Sequence, residues 1–150
     1  MAKLFLAIVL GLSSRVLAAD NLHLNPKLDY TTDSQDGPLI TGDHMQEGAV
    51  KGKPNYVIIY AEGCFNSKRQ ARRTVSLWAK YRDRVQFVVV DLDQQRSPAQ
   101  RELVEKYYRG YIPQVVVLDQ SGKALYNSSG EVEESTISSL LDRALSRASE

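Results

Sequence analysis

The chain of 150 residues contains one cysteine, Cys64, and this side chain points most directly to chemistry. A thiolate attacks the sulfur of a disulfide, but a lone cysteine cannot close a disulfide within its own chain. Ser67 stands three residues later, and its hydroxyl could hydrogen-bond the sulfur but cannot form an S–S bond. Three reactions are therefore open to Cys64: formation of a mixed disulfide that an outside thiol resolves, thiol-disulfide isomerisation, and oxidation to sulfenic acid. Net two-electron reduction of a disulfide by this chain alone is excluded.

Two interpretations of Cys64 stand side by side. A free cysteine is more often a small buried hydrophobic residue than a reagent. Four cations follow it closely, namely Lys68, Arg69, Arg72 and Arg73. Such a run on a helix is usually a solvated face, although it could also favour a nearby thiolate. The residues alone leave both interpretations open.

Hydrophobic periodicity predicts the elements that must position Cys64. The run Tyr-Val-Ile-Ile-Tyr at 56–60 is continuous, which predicts a strand covered on both faces. A helix is predicted at about 65–82. Its inner face is expected to carry Ala71, Val75, Trp78 and Ala79. Cys64 then lies on the turn between strand and helix, where unpaired backbone N–H groups and the helix dipole favour a thiolate.

The rest of the chain alternates strands with helices. Ser97, Pro98 and Gln100 form a helix-start signal, because serine caps a helix and proline fits its first turn. The segment 119–122 predicts a turn between two antiparallel strands. The elements predicted after the first helix are a strand at 85–91, a helix ending near 108, strands at 114–118 and 123–127, and a helix around 137–145. This order predicts an α/β three-layer sandwich with helices on both faces of a central mixed sheet.

The N-terminal third divides into three segments. Residues 1–19 combine a basic start, an apolar run and small residues, the layout of a cleavable signal peptide, and the run is shorter than the roughly 20 residues of a membrane span. Residues 20–42 carry turn signals and are predicted to be a loosely structured lead-in, with a short helix at 43–50. The folded domain is predicted at 43–150. We expect export to the periplasm, the extracellular space or, in a eukaryote, the lumen of the secretory pathway.

Composition limits the classes of partner. Removal of residues 1–19 leaves 17 basic and 18 acidic residues, a net charge near −1, so nothing indicates nucleic-acid binding. His23 and His44 are isolated, so no metal site is predicted, and no motif indicates a cofactor. No stable membrane span is expected in the mature chain. The triplet Asn127-Ser128-Ser129 fits an N-glycosylation acceptor, which matters only in a eukaryotic host.

The segment from Tyr60 to Lys68, YAEGCFNSK, resembles the active-site segment of the thioredoxin family, which runs aromatic-A-E-W-C-G-P-C-K. Further landmarks of that family follow in order: an acidic turn within 85–93, an approach to a cis-proline at 107–113, a hairpin turn at 121–123 and a glycine at 130. The resemblance covers about residues 45–147. It implies the thioredoxin fold, with Cys64 in the position of the family's nucleophile.

Three departures from the family pattern fall at the redox centre. Ser67 replaces the second, resolving cysteine, and Gly63 replaces the tryptophan before the nucleophile. Ile58 replaces a buried aspartate that handles the proton of the resolving thiol. A buried carboxylate is costly without a task, so Ile58 fits the loss of the second thiol. The resemblance therefore implies a protein that is not a self-sufficient dithiol reductase.

The resemblance also implies which residues form the site. In the family, the residue before the cis-proline offers backbone groups that pair with an incoming peptide, so the Ile112–Pro113 bond is expected to be cis. The implied residues are Cys64 and Ser67 for catalysis and Gly63, Phe65, Ile112 and Pro113 for substrate binding.

Three functional hypotheses follow. The leading one is an exported monothiol protein that engages thiols or disulfides of other proteins through Cys64, with glutathione as a candidate outside thiol. The second is a non-catalytic module that binds proteins through the same groove. The third compares the segment 64–67 with the C-G-F-S centre of monothiol glutaredoxins. It is disfavoured, because the glycine after the cysteine is absent and Tyr111-Ile112 replaces that family's threonine-valine before its cis-proline.

Overall fold

Runs of β-branched and aromatic residues form the centre of this protein. The computed structural model describes residues 17–147. The strands are β1 (Asp20–Leu24), β2 (Ile40–Asp43), β3 (Asn55–Tyr60), β4 (Gln86–Asp91), β5 (Gln114–Leu118) and β6 (Ala124–Ser129). The helices are α1 (Phe65–Tyr81), α2 (Pro98–Tyr107) and α3 (Glu134–Arg147). Every residue of β3 and β5 is buried, as expected for strands covered on both faces.

The main sheet has the strand order β4-β3-β5-β6. Strands β3 and β4 run parallel, whereas β5 is antiparallel to both β3 and β6. Side chains alternate along β3: Tyr56, Ile58 and Tyr60 pack in one core with α1 and α3, and Val57 and Ile59 pack in a second core with α2. The predicted α/β class with a mixed central sheet and helices on both faces is confirmed.

The helix boundaries agree with the sequence signals. The Oγ of Ser97 accepts a 3.2 Å hydrogen bond from the backbone N–H of Gln100, which caps α2 as predicted. The predicted inner face of α1 is right for Ala71 and Trp78, which are buried. It is wrong for Ala79, which is exposed, because the buried stripe continues through Leu77 and Tyr81 instead.

A buried polar network fixes α1 on the sheet. The hydroxyl of Tyr56 lies 2.7 Å from the Oγ1 of Thr74 and accepts a 3.2 Å hydrogen bond from Gln70. The same Gln70 amide accepts a 3.0 Å hydrogen bond from the backbone N–H of Val132, ahead of α3. Burial raises the pKa of Tyr56 to about 12, so this hydroxyl stays protonated at all pH values at which the protein is usefully studied. The network ties β3, α1 and the segment before α3 together.

The lead-in predicted to be loosely structured at 20–42 is ordered. Strands β1 and β2 pair antiparallel in a two-stranded sheet, and Leu22, Leu39 and Ile40 are buried in the core beside α1. The Tyr30 hydroxyl closes the connecting loop by donating a 2.6 Å hydrogen bond to the carbonyl of Leu39. The turn signals were correct locally. Three buried apolar residues, too few to produce a periodic pattern, anchor the segment.

The prediction of a short helix at 43–50 is wrong, because this segment forms a turn followed by irregular chain. The side chain of Gln100 takes the carbonyl groups that a helix would have used, donating hydrogen bonds to Met45 (2.7 Å) and Glu47 (3.2 Å). The same amide lies 3.2 Å from the carbonyl oxygen of Val89 on β4. The irregular segment therefore covers the outer edge of β4.

The N-terminal prediction concerns residues that are largely undescribed. The expected signal peptide, residues 1–19, falls outside the described residues as far as position 16. Strand β1 begins at Asp20, the first residue of the expected mature chain. Within residues 17–147, none of the helices combines the length and the apolar character that a membrane crossing requires.

Candidate thiol site

Cys64 lies between the end of β3 and the start of α1, as the sequence predicts. Its backbone is extended, with φ −90 and ψ 119, and its carbonyl accepts a 2.9 Å hydrogen bond from the N–H of Lys68. The thiol makes no side-chain capping bond, and the residue is half-buried rather than sealed in the core. A helix N-terminus favours an anion, so this position suits a thiolate.

Ser67 does not assist the thiol in the way that its spacing allowed. The residue is fully buried, and its Oγ has no hydrogen-bond partner among the described residues. The hydrogen bond to Cys64 considered from the sequence is therefore not formed. The serine lies on the buried face of α1, so its hydroxyl is directed into the protein interior.

Lys68 is an exception to the prediction that the cationic run forms a solvated face of the helix. The residue is fully buried, and its ammonium group donates to the backbone carbonyls of Asp29 (2.6 Å), Thr32 (2.7 Å) and Ser34 (2.9 Å). A buried ammonium is costly unless its protons are used, and here each of the three has a carbonyl acceptor. We call residues 29–35, which supply these carbonyls, the strap.

The strap also contacts both chain neighbours of Cys64. The Oδ1 of Asp33 accepts a 2.8 Å hydrogen bond from the backbone N–H of Phe65, so a carboxylate caps the start of α1 from a distant part of the chain. Gly63 has φ +79, and a Cβ added there would lie 3.0 Å from the Cβ of Gln35 and 3.2 Å from the carbonyl oxygen of Asp33. Only glycine fits this position without strain.

Two of the remaining cations of the run, Arg69 and Arg73, pair with carboxylates ahead of α3. Arg69 lies over the ring of Phe65, 4.9 Å from its centroid, and pairs with Glu131. Arg73 pairs with Glu131 at 3.5 Å and with Glu133 at 3.2 Å. The carboxylates ahead of α3 thus balance these two arginines, which supports a role in docking α3 more than in charging the thiol.

Ile112 and Pro113 lie at the same edge of the sheet as Cys64. The register pairs Ile59 of β3 with Gln114 of β5, so Pro113 comes at the next position, beside Tyr60. The peptide bond between Ile112 and Pro113 is cis, and Ile112 is half-buried. The preceding Tyr111 is 74% exposed, and among residues 17–147 only Leu17 is a comparably exposed large apolar side chain.

A cavity that no sequence pattern indicates lies on the other flank of β3. It has a volume of about 380 Å³ and is lined in part by Tyr60 and Asp91. The Oδ2 of Asp91 is buried without a hydrogen-bond partner among the described residues. Burial, with the nearby Glu62 carboxylate as a further cause, raises the pKa of Asp91 to about 7. Glu62 itself accepts a 2.7 Å hydrogen bond from Gln94.

Asp33, Gln35 and the inward role of Lys68 were likewise not predicted. Nothing in one sequence pairs a lysine with carbonyl groups that lie 34 to 39 residues away. The sequence offers one signal. A glycine stands at position 63, where the thioredoxin family carries a tryptophan, so another part of the chain can approach the backbone there. Gln35 and Asp33 of the strap lie against this glycine.

Comparisons with known proteins agree with this architecture. The family model of the thioredoxin-like domain matches residues 42–145. An exposed lipoprotein thioredoxin of Streptococcus pneumoniae aligns with 62% of this chain and 86% of its own, at 19% identity and a TM-score of 0.51. A malarial protein aligns with 63% of this chain and 99% of its own, at 19% identity and a TM-score of 0.52. At these identities the likeness concerns the fold. No curated protein matches the chain significantly.

Proposed function

The chain belongs to the thioredoxin-like domain family, and on that premise we propose that it is an exported monothiol member that engages thiols and disulfides of other proteins through Cys64. The observation that carries the proposal is the position of this only cysteine: a half-buried thiol at the first turn of α1, at the sheet edge that also holds Ile112 and Pro113. Export rests on the signal-like pattern of residues 1–19.

The proposed reaction is thiol-disulfide exchange. The Cys64 thiolate attacks one sulfur of a partner disulfide, an S–S bond forms to Cys64, and the original S–S bond breaks. The departing sulfur keeps the bonding electrons and takes a proton from water, so that half of the partner is reduced. Because Ser67 cannot attack, a low-molecular-weight thiol of the glutathione class attacks the Cys64 sulfur and releases the other half. A second such thiol then restores Cys64 and leaves as a disulfide.

The four residues predicted for substrate binding surround the thiol in this proposal, and the strap covers one of them, Gly63, on one side. Gly63 and Phe65 flank the thiol along the chain, and Ile112 and Pro113 lie at the neighbouring strand end. The half-buried Ile112 would offer its backbone groups to an extended segment of the partner, which would pair with it like an added strand. Ser67 has no partner in the described residues, so we assign it no direct bond to the sulfur.

The test is to incubate the purified protein with glutathione disulfide and to follow the adduct by intact mass. We expect one adduct on Cys64, removed by reduced glutathione and absent from Cys64→Ser. Insulin reduction driven by dithiothreitol should be weak. No adduct at any pH up to about 9, where a free thiol is substantially ionised, would contradict the proposal.

A second experiment separates exchange chemistry from simple binding. Mixed disulfides are trapped in the native compartment with an alkylating agent, and the attached proteins are identified. Exchange chemistry predicts that Cys64→Ser captures none of them. Capture of the same proteins by that variant would instead assign the groove to a non-catalytic binding module.

A further inference from the structure

The strap, residues 29–35, has an attachment that the exchange reaction does not require. Three of its carbonyls face inward to Lys68, and its Tyr30 side chain packs against the core and donates a hydrogen bond to the carbonyl of Leu39. The side chains of Thr31, Thr32, Asp33 and Gln35 are exposed. The anchor is the ammonium group of Lys68, and no acidic side chain among residues 17–147 lies within ion-pair distance of it. The buried charge of Lys68 is therefore compensated mainly by three carbonyl groups of the strap, with the Ser34 hydroxyl at 3.3 Å and the nearby Asp29 carboxylate adding to them.

The strap contacts the two residues that flank Cys64 in the chain. Asp33 bonds the N–H of Phe65, and the strap packs on the bare backbone of Gly63, so the residues before and after Cys64 are both in contact with it. Each contact would be lost if the strap moved away.

The strap is separate from the main sheet. Its flanking strands β1 and β2 pair only with one another, and the four strands β4-β3-β5-β6 form their own sheet. A segment with these connections can open without unfolding the domain, as sub-global openings of proteins do.

We propose, building on the proposed function, that the strap determines the substrate class of Cys64. It closes the side of the thiol at Gly63 and leaves the side at Ile112 and Pro113 as the route of approach. Small disulfides and disulfides in flexible, extended segments then reach the sulfur, and disulfides on rigid folded surfaces do not. Lys68 is the positioning residue that holds the strap in place.

The test compares two substrates with the wild-type protein and with Lys68→Met, which keeps the length of the side chain and removes its donors. One substrate is glutathione disulfide, and the other is a rigid folded protein that carries a single surface mixed disulfide. The readout is the rate of exchange with the folded protein divided by the rate of exchange with glutathione disulfide. We expect the ratio to rise about tenfold or more, because the loss of one charge-assisted hydrogen bond already weakens closure by about that factor.

Lys80→Met is the matched control, since it removes an exposed cation from the last turn of α1. It should leave the ratio unchanged. If Lys68→Met does not fold, Asp33→Ala provides the milder release of the strap, and its ratio should also rise. Hydrogen exchange at Thr32–Gln35 reports in either variant whether the strap has opened.

An unchanged ratio in a variant whose strap exchanges rapidly would overturn the inference while leaving the proposed function intact. Equal acceleration with both substrates would do the same, because it would indicate a change in the thiol itself. Failure of the proposed function looks different: the wild-type protein would then form no adduct even with glutathione disulfide.

Discussion

The Oδ2 of Asp91 is buried and has no hydrogen-bond partner within residues 17–147. Replacement of Asp91 by asparagine tests the electrostatics of the cavity beside β3 that this residue lines. Asparagine keeps the oxygen that accepts a 2.9 Å hydrogen bond from the N–H of Asp93. It replaces the second oxygen with an NH2 group, which can donate hydrogen bonds to neighbouring oxygen atoms. The substitution therefore removes a charge from a half-buried position with little change in shape.

The sign of the effect follows from the two pKa values of Asp91. An aspartate in an unfolded chain has a pKa of about 3.9. In the folded protein burial, aided by Glu62, raises the pKa of Asp91 to about 7. The folded state therefore binds this proton more tightly. Protonation of Asp91 therefore stabilises the folded state. This contribution to the free energy of unfolding is fully present below about pH 4, is lost as the pH rises to about 7, and does not change further above that pH.

The magnitude has an upper bound and a smaller expected value. The gap between the two pKa values corresponds to at most about 4 kcal/mol. Because Asp91 is only half-buried, screening by solvent reduces this to about 1–2 kcal/mol. Asp91→Asn should thus raise the free energy of unfolding by about 1–2 kcal/mol at pH 8 and change it little at pH 4.

Urea unfolding provides the assay, with the fluorescence of Trp78 as the signal, because this single tryptophan is buried. The difference between variant and wild type is measured from pH 4 to pH 8, so that other titrating groups cancel. Asp83→Asn is the control, because Asp83 is exposed and its removal should shift stability by less than about 0.5 kcal/mol. A difference that is the same at pH 4 and pH 8, or a less stable variant at pH 8, would refute the assignment.

Three further substitutions test the site and the core. Gly63→Ala should lower the free energy of unfolding by about 1–3 kcal/mol, because alanine is strained at φ +79 and its Cβ meets the strap; unchanged urea stability would contradict this. Asp33→Asn should speed alkylation of Cys64 by iodoacetamide at pH 7 about two- to fivefold, because it removes a negative charge from the helix start but keeps the acceptor; a slower reaction would count against it. Tyr56→Phe should cost about 1–2 kcal/mol, because two buried side chains lose the hydroxyl that they bond; a stability equal to wild type in urea would show the network to be dispensable.

The main domain was predictable because its signals are long and local. The runs at 56–60 and 114–118 are apolar at every position except the first of the second, and such runs form buried strands wherever they can be covered. Ser97 and Pro98 mark a helix start through contacts within one turn. The position of Cys64 between strand and helix followed directly from these boundaries.

The N-terminal segment was not predictable from the same kind of signal. Its order depends on Leu22 and on the adjacent pair Leu39 and Ile40, which lie far from Leu22 in the chain and form no periodic pattern with it. The strap's contacts with Lys68 are made by backbone carbonyl groups, which every residue has, so they leave no signal in the sequence. Hydrophobic patterning cannot detect a segment that is held by its backbone.

Lys68 and Ser67 show why the chemistry of the site was only partly predictable. A lysine in a charged run is usually solvated, and the exception here required acceptors that only the folded chain brings together. Ser67 was placed by spacing alone. Spacing gives the face of a helix but not whether a hydroxyl on it turns toward the thiol or toward the core.

The way in which the outer edge of β4 is covered has a consequence for self-association. An uncovered strand edge is a template on which further chains can pair, and proteins protect such edges with charge, bulges or covering segments. Here one amide, that of Gln100, holds both the covering segment and the carbonyl of Val89. Substitutions at Gln100 are therefore expected to uncover this strand edge and to cause precipitation at high protein concentration.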